Sequence, residues 1–216
     1  MQLNQYIDHT LLKPTAKPED IEKLCMEAVA NQFIAICIPP SYLKLAKSIL
    51  KTSNVKIATV VGFPLGAMTT DAKVFEAQDA IAKGADEIDM VINIGILKTG
   101  NTEYIWNEIA EIKKAIGSKI LKVIIETCYL NDAEKKAACL AALKGRADFV
   151  KTSTGFGTAG ATFEDVQLMK QIAGDKMKVK ASGGIKDRET AIKYIELGVS
   201  RLGTSSGVNL VISEKN

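Results

Sequence analysis

Ala147-Asp-Phe-Val-Lys151-Thr-Ser-Thr-Gly-Phe-Gly-Thr-Ala-Gly-Ala161 is the stretch on which the reading of this chain turns. A short apolar run ends on a lysine and opens into a loop of glycines and hydroxyls. A helix start follows at Thr162-Phe-Glu-Asp-Val166, with a capping residue and acids in the first turn. A lysine at the C-terminal end of a buried strand faces either solvent or a cavity. Enclosed by apolar walls, or set beside another cation, its amine sheds the proton that masks it and becomes a nucleophile toward carbonyls. This segment by itself leaves both readings open.

Outward from it, the same grammar repeats. Strand-like runs lie near Tyr6–Thr10, Phe33–Ile38, Lys56–Val61, Glu87–Asn93, Leu121–Thr127, Asp148–Thr152, Lys178–Ala181 and Arg201–Gly203, with amphipathic helical patterns between them. Pro18 with Glu19 and Asp20 opens the first helix. Ser41, Thr69 or Thr70, Asn101 or Thr102, Asn131 or Asp132, Thr162 and Asp187 are the expected caps of later ones. Ala82-Lys-Gly-Ala-Asp, Leu143-Lys-Gly-Arg-Ala and Glu196-Leu-Gly-Val-Ser each place a glycine where a helix ends, as a left-handed C-cap requires. Repetition at about 25 to 35 residues reads as βα units, and eight of them predict a closed α/β barrel, the (β/α)8 TIM architecture. No linker divides the chain, so residues 1–216 are read as one barrel domain.

Bulk properties narrow the function. The chain has 216 residues, 47% hydrophobic and 25% charged, and a net charge of +3 with no basic block, which argues against nucleic acid and suits an anionic small molecule. Cys25, Cys37, Cys128 and Cys139 form no C-x-x-C pair and suit a reducing cytoplasm. His9 is the one histidine, so neither a histidine metal cluster nor a Ser-His-Asp relay is available. The N-terminus lacks a signal-peptide pattern, and no apolar run approaches the roughly 20 residues of a membrane helix.

In such barrels the chemistry gathers where strands end. Lys180 ends the strand after the one carrying Lys151. Neighbouring strands lie about 4.8 Å apart, so two inward lysines would repel and depress one pKa. Asp89 can share a layer with Lys151, either as a proton-transfer group or as a structural ion pair. Because Lys178 alternates with Lys180 it should also turn inward, and Glu87 is its expected partner. Ala181-Ser-Gly-Gly184 and Gly203-Thr-Ser-Ser-Gly207 follow strands seven and eight, where this fold commonly holds phosphate, and the Gly155-Phe-Gly-Thr-Ala-Gly160 loop could add donors. Gly155-x-Gly-x-x-Gly160 imitates a dinucleotide fingerprint, but no suitable acid follows about 20 residues on, so a Rossmann site is rejected. Cys37, Tyr104 and Trp106 are read as packing residues.

At Ile7-Asp-His-Thr-Leu-Leu-Lys-Pro-Thr15, Val61-Gly-Phe-Pro-Leu-Gly66, Ala85-Asp-Glu-Ile-Asp-Met-Val-Ile-Asn93, Phe149-Val-Lys-Thr-Ser-Thr-Gly155, Val179-Lys-Ala-Ser-Gly-Gly-Ile185 and Arg201-Leu-Gly-Thr-Ser-Ser206 the chain resembles deoxyribose-phosphate aldolases of the short bacterial and archaeal type. The likeness runs essentially end to end. It implies a class I aldolase, without metal or organic cofactor, that reversibly cleaves a phosphosugar, 2-deoxy-D-ribose 5-phosphate, to D-glyceraldehyde 3-phosphate and acetaldehyde. It further implies Lys151 as the Schiff-base lysine, Lys180 as its tuning partner and Asp89 as the proton relay. Gly155, Gly183, Gly184, Gly203, Ser205 and Ser206 are implied around the phosphate. A cytoplasmic homo-oligomer, dimer or tetramer, is also implied. Some members end in a tail with a C-terminal tyrosine. This chain ends Ser213-Glu-Lys-Asn216, so the resemblance does not carry over a tyrosine-assisted step.

Overall fold

The computed structural model describes residues 2–212; the tail reading at Ser213–Asn216 lies outside them. Eight parallel strands close in sequence order: β1 (Ile7–Thr10), β2 (Ala35–Ile38), β3 (Lys56–Val61), β4 (Glu87–Val91), β5 (Ile120–Ile124), β6 (Phe149–Lys151), β7 (Lys178–Ser182) and β8 (Arg201–Thr204), with β8 pairing back to β1. The connecting helices are α1 (Pro18–Ala30), α2 (Leu43–Ile49), α3 (Thr70–Ala82), α4 (Ile94–Lys98), α5 (Thr102–Ile116), α6 (Asp132–Lys144), α7 (Phe163–Ala173), α8 (Arg188–Glu196) and α9 (Gly207–Ile212). None of the described helices is long and apolar enough to cross a membrane.

Helix starts follow the capping chemistry. Thr69, Asn93, Asn101, Asn131, Thr162 and Asp187 each accept a backbone N–H from the first turn of the helix they precede. Ser41 does not act as a cap. It lies inside a 3-10 turn, Pro40–Tyr42, because Pro40 already holds the helical φ two residues early, and α2 begins only at Leu43. One C-terminal expectation also changes. Gly84 and Gly198 take positive φ, but at the end of α6 the left-handed residue is Arg146 (φ 61) and Gly145 has φ −75. Gly145 answers a packing demand instead: a Cβ there would lie 2.6 Å from Ile109 Cγ2.

Strand alternation sorts the side chains. Ile88 and Met90 of β4, Leu121 and Val123 of β5, Val150 of β6, Val179 and Ala181 of β7 and Leu202 of β8 join the core between barrel and helices. The opposite set points inside. It divides into an apolar part on β2 and β3 (Cys37, Ala58, Val60) and a charged part on the other strands.

Outside the barrel, α3 and α5 carry a buried ion pair that the sequence did not announce. Lys73 Nζ donates to Glu108 Oε1 at 2.7 Å and to the Val91 carbonyl at 2.9 Å, and Glu108 Oε2 accepts the Asn93 N–H at 3.3 Å. Burial pushes the lysine amine down and the Glu108 carboxyl up from their usual ranges, against the attraction between them. The pair ties two helices to the end of β4, and Lys73 passes so close to Gly62 that a Cβ there would lie 2.8 Å from Lys73 Cε. Lys73→Ala, which strands the Glu108 charge, is expected to lower unfolding free energy by about 3–5 kcal/mol in urea titration. The double variant Lys73→Met, Glu108→Met should recover most of that loss, and equal losses for single and double variants would show that the charge is not what the pair protects.

Candidate active site

Seven ionisable side chains meet inside the barrel. Asp8 comes from β1, Glu87 and Asp89 from β4, Lys122 from β5, Lys151 from β6, Lys180 from β7 and Arg201 from β8, and none is more than 5% exposed. Register brings them together: Asp89 is level with Lys122, Lys151 with Lys180, and Lys180 with Arg201. Asp89 Oδ2 stands 2.8 Å from Lys151 Nζ and 2.8 Å from Lys180 Nζ, while its other oxygen accepts from Lys122 at 2.7 Å. Lys180 also donates to Asp8 at 2.5 Å. Arg201 spans Asp8 at 2.5 Å and Glu87 at 2.8 Å, and Lys122 reaches Glu87 at 2.5 Å.

Three carboxylates thus face four cationic side chains, so one cation is in surplus. Lys151 alone of the four has its pKa lowered. Burial lowers its pKa, the Lys180 charge lowers it further, and the single contact with Asp89 does not restore it. Lys180 goes the other way, because Asp8 and Asp89 together outweigh its burial and hold it protonated well above the usual lysine value. For Asp89 burial alone would raise the carboxyl, but Lys122, Lys151 and Lys180 overcome it and keep the group ionised far below the ordinary carboxylate range. Asp8 is held low by Lys180, Lys122 and Arg201 against the same burial.

Lys151 opens onto a cavity of about 360 Å³ whose lining includes Gly155, Gly183, Gly184, Gly203 and Ser205. Asp89 and Lys180 are fully buried and absent from that lining, in contact with Lys151. Ser206 is the one predicted phosphate residue not on the wall; its N–H donates to Thr204 Oγ1 at 2.9 Å. Gly183 and Gly184 take φ of +85 and +80, which a side chain would resist. Gly160 packs so closely on the Gly183 backbone that a Cβ would lie 2.3 Å from its carbonyl oxygen, which is what the third glycine of the false dinucleotide motif is for. Gly203 makes room for Lys180, whose Cε would lie 3.1 Å from a Cβ at that position. Leu12 and Phe156 of the wall are backed by an apolar patch: Phe63 meets Phe156 edge-on at 5.3 Å, and Leu12 and Phe63 pack on Cys37, Ala58 and Val60. Burial pushes the Cys37 thiol up, in keeping with its packing role.

Two expectations change. Lys178 does not pair with Glu87; it is exposed at the start of β7 with Nζ 5.6 Å from the Phe149 ring, because Phe149 occupies that level of the interior and Arg201 and Lys122 already hold Glu87. Burial, more than repulsion between the lysines, is the first cause of the lowered Lys151 pKa. Lys122 and Arg201 join the cluster without being singled out by the motifs, although for Lys122 a lone cation inside the apolar run Ile120-Leu-Lys-Val-Ile124 is a legible sign. Lys13 and Lys186 also line the cavity and bring positive charge to its mouth.

The sequence model of the DeoC/LacD family aldolases matches residues 3–209. The chain is 52% identical over 215 residues to the deoxyribose-phosphate aldolase of Brevibacillus brevis, covering 100% of this chain and 97% of that protein. It is 55% identical over 221 residues to that of Thermococcus gammatolerans, covering 100% and 98%. Among solved structures it superposes on the deoxyribose phosphate aldolase of Aeropyrum pernix, described as a unique tetramer, with a TM-score of 0.92 at 33% identity over 99% of this chain and 91% of that one.

The electrostatics predict a pH dependence. Cyanate carbamylates only the neutral amine, so its rate at Lys151, followed by peptide mass mapping, should have a midpoint below the ordinary lysine value of 10.5. Lys180→Met removes a cation and leaves two carboxylates less neutralised, so the midpoint should move up. A midpoint that stays or falls would rule out Lys180 as the depressing charge.

Proposed function

The chain belongs to the DeoC/LacD family of aldolases, and from that premise we propose how it cleaves 2-deoxy-D-ribose 5-phosphate to D-glyceraldehyde 3-phosphate and acetaldehyde. The observation that carries the mechanism is the single carboxylate oxygen of Asp89 lying 2.8 Å from the amines of both Lys151 and Lys180. The neutral Lys151 Nζ attacks C1 of the open-chain sugar. Loss of water gives an iminium that serves as the electron sink. Asp89, ionised at neutral pH, takes the C3 hydroxyl proton through an intervening water as the C2–C3 bond breaks, and D-glyceraldehyde 3-phosphate leaves. The bonding pair becomes the enamine on Lys151. Protonation of its terminal carbon and hydrolysis then release acetaldehyde and restore the amine. Lys180, held charged by Asp8 and Asp89, gives the proton to the enamine carbon in this scheme and is recharged by the proton that Asp89 has taken from the C3 hydroxyl.

The phosphate is proposed to sit on the loops after β6, β7 and β8, near Gly155, Gly183, Gly184, Gly203, Ser205 and Ser206. Lining of the cavity by most of these residues supports this, and the long-range attraction of Lys13 and Lys186 favours the anion. Holding the remote phosphate fixes the reacting carbons over Lys151, so part of that binding energy is expressed as rate. The enzyme is proposed to act as one barrel domain in the cytoplasm, which the absence of any disulfide among its four cysteines supports, and to assemble as a homo-oligomer, as its Aeropyrum relative does.

Borohydride reduction with acetaldehyde, followed by peptide mapping, should place the ethyl adduct on Lys151, and Lys151→Ala should lose both adduct and turnover while remaining folded. An adduct on Lys180 alone would exchange the two roles; folded protein without any adduct would exclude Schiff-base chemistry. Ser205→Glu sets a negative charge against the proposed phosphate site and should raise KM for the phosphosugar by about tenfold or more. An unchanged KM would put the phosphate elsewhere.

A further inference from the structure

Between β5 and β6 the strand pairing slips by one residue next to the catalytic lysine. The Ile125 N–H donates to the Lys151 carbonyl at 3.1 Å, and the next bond runs from the Thr127 N–H to the Thr152 carbonyl at 3.0 Å. The chain following β5 has advanced two residues while that following β6 has advanced one, which is the count of a β-bulge. Glu126 is the extra residue. It has φ 53 and ψ 68, a left-handed conformation that a residue with a side chain adopts only where its surroundings hold it, and it is 2% exposed.

The bulge aims the buried carboxylate at the loop after β6. Glu126 Oε1 accepts the Thr154 N–H at 3.1 Å, and Oε2 accepts the Thr154 hydroxyl. Thr154 Oγ1 in turn accepts the Phe156 N–H at 3.0 Å. The two amides flanking Gly155 are therefore occupied, while the Gly155 N–H, at φ +86 on the cavity wall, has no partner among the described residues. Gly157 completes the fit, since a Cβ there would lie 3.2 Å from Glu126 Cδ and 2.7 Å from Cys128 Sγ.

We propose that Glu126 is a positioning residue for phosphate recognition. Its bulged carboxylate fixes the Thr154–Phe156 loop so that the Gly155 N–H alone of the three is presented to the substrate phosphate. This deepens the aldolase reading and rests on it. A carboxylate so close to a phosphate site would by itself repel the anion; here it acts through Thr154, which supplies both of its donors.

The test compares kcat/KM for 2-deoxyribose 5-phosphate with that for 2-deoxyribose. Glu126→Gly keeps a residue content with the left-handed backbone and deletes both acceptors; Thr154→Val deletes the hydroxyl from the other side. In each the preference for the phosphorylated substrate should fall about tenfold, mainly through KM, as expected when a charged hydrogen-bond acceptor or its donor is lost. Equal losses on both substrates, or an unchanged preference in the folded variants, would overturn the proposal and leave Glu126 a structural residue. Calorimetric titration with inorganic phosphate separates this from failure of the aldolase reading. Wild-type protein that turned over neither sugar would defeat the aldolase reading, whereas inorganic phosphate binding equally well to wild type and Glu126→Gly would defeat the loop proposal alone.

Discussion

Charge balance inside a closed barrel is the constraint from which the rest of this structure follows. Isolated charges are costly to bury, and the interior of this barrel holds seven ionisable side chains. They are tolerated because each cation contacts at least one carboxylate, and because their numbers are off by one. The surplus cation is the one with a single carboxylate neighbour, Lys151. The lowered pKa of Lys151 is therefore a property of the whole cluster. Lys122 and Arg201, which are not on the cavity wall, bear on it by fixing how much negative charge Asp8, Glu87 and Asp89 have left to offer.

The barrel accommodates this cluster by dividing its interior. On β2 and β3 the inward positions carry Cys37, Ala58 and Val60, against which Phe63 and the cavity-lining Leu12 pack, so one side of the interior is apolar. The other side presents glycines and hydroxyls. A sugar phosphate has matching ends, a reacting carbonyl with a short carbon chain and a remote dianion, and the lysine sits between the two surfaces. Low polarity on the apolar side also adds to the desolvation that lowers the Lys151 pKa.

Glycine has several distinct uses around this site. Gly183 and Gly184 are required by their backbone angles, Gly160 and Gly157 by close approach of one loop to another, and Gly203 by the side chains of Ser182 and Lys180. Only the first kind leaves the familiar signature of a turn. Glu126 shows the opposite case, a bulky residue held where glycine would be easier, at a bulge where alternation is broken and a side chain is re-aimed. The loops around this cavity are thus set by steric and hydrogen-bonding demands that originate one layer behind them.

The sequence by itself determined the architecture, since hydrophobic period, helix caps and repeated helix-to-strand junctions are local properties, each strand lies within a few residues of its expected span, and eight βα units leave little choice but a closed barrel. It also singled out Lys151, Lys180 and Asp89 as candidates, because a charged residue at the end of an apolar strand is visible in one dimension and resembles a known family pattern, and the fold brings the three side chains together. Tertiary structure alone decided the partners. Lys178 and Lys180 differ by one strand period and look equivalent in sequence, yet the Phe149 ring leaves one in solvent while three neighbouring strands enclose the other. Lys73 and Glu108 are 35 residues apart and read as ordinary helix-surface charges until two helices close over them. Glu126 would face the wrong way under simple alternation, and only the slipped pairing with β6 turns it toward Thr154. The period of a strand is written in its own residues, but which charge a buried group meets, and hence which amine is left without its proton, depends on register and closure around the barrel.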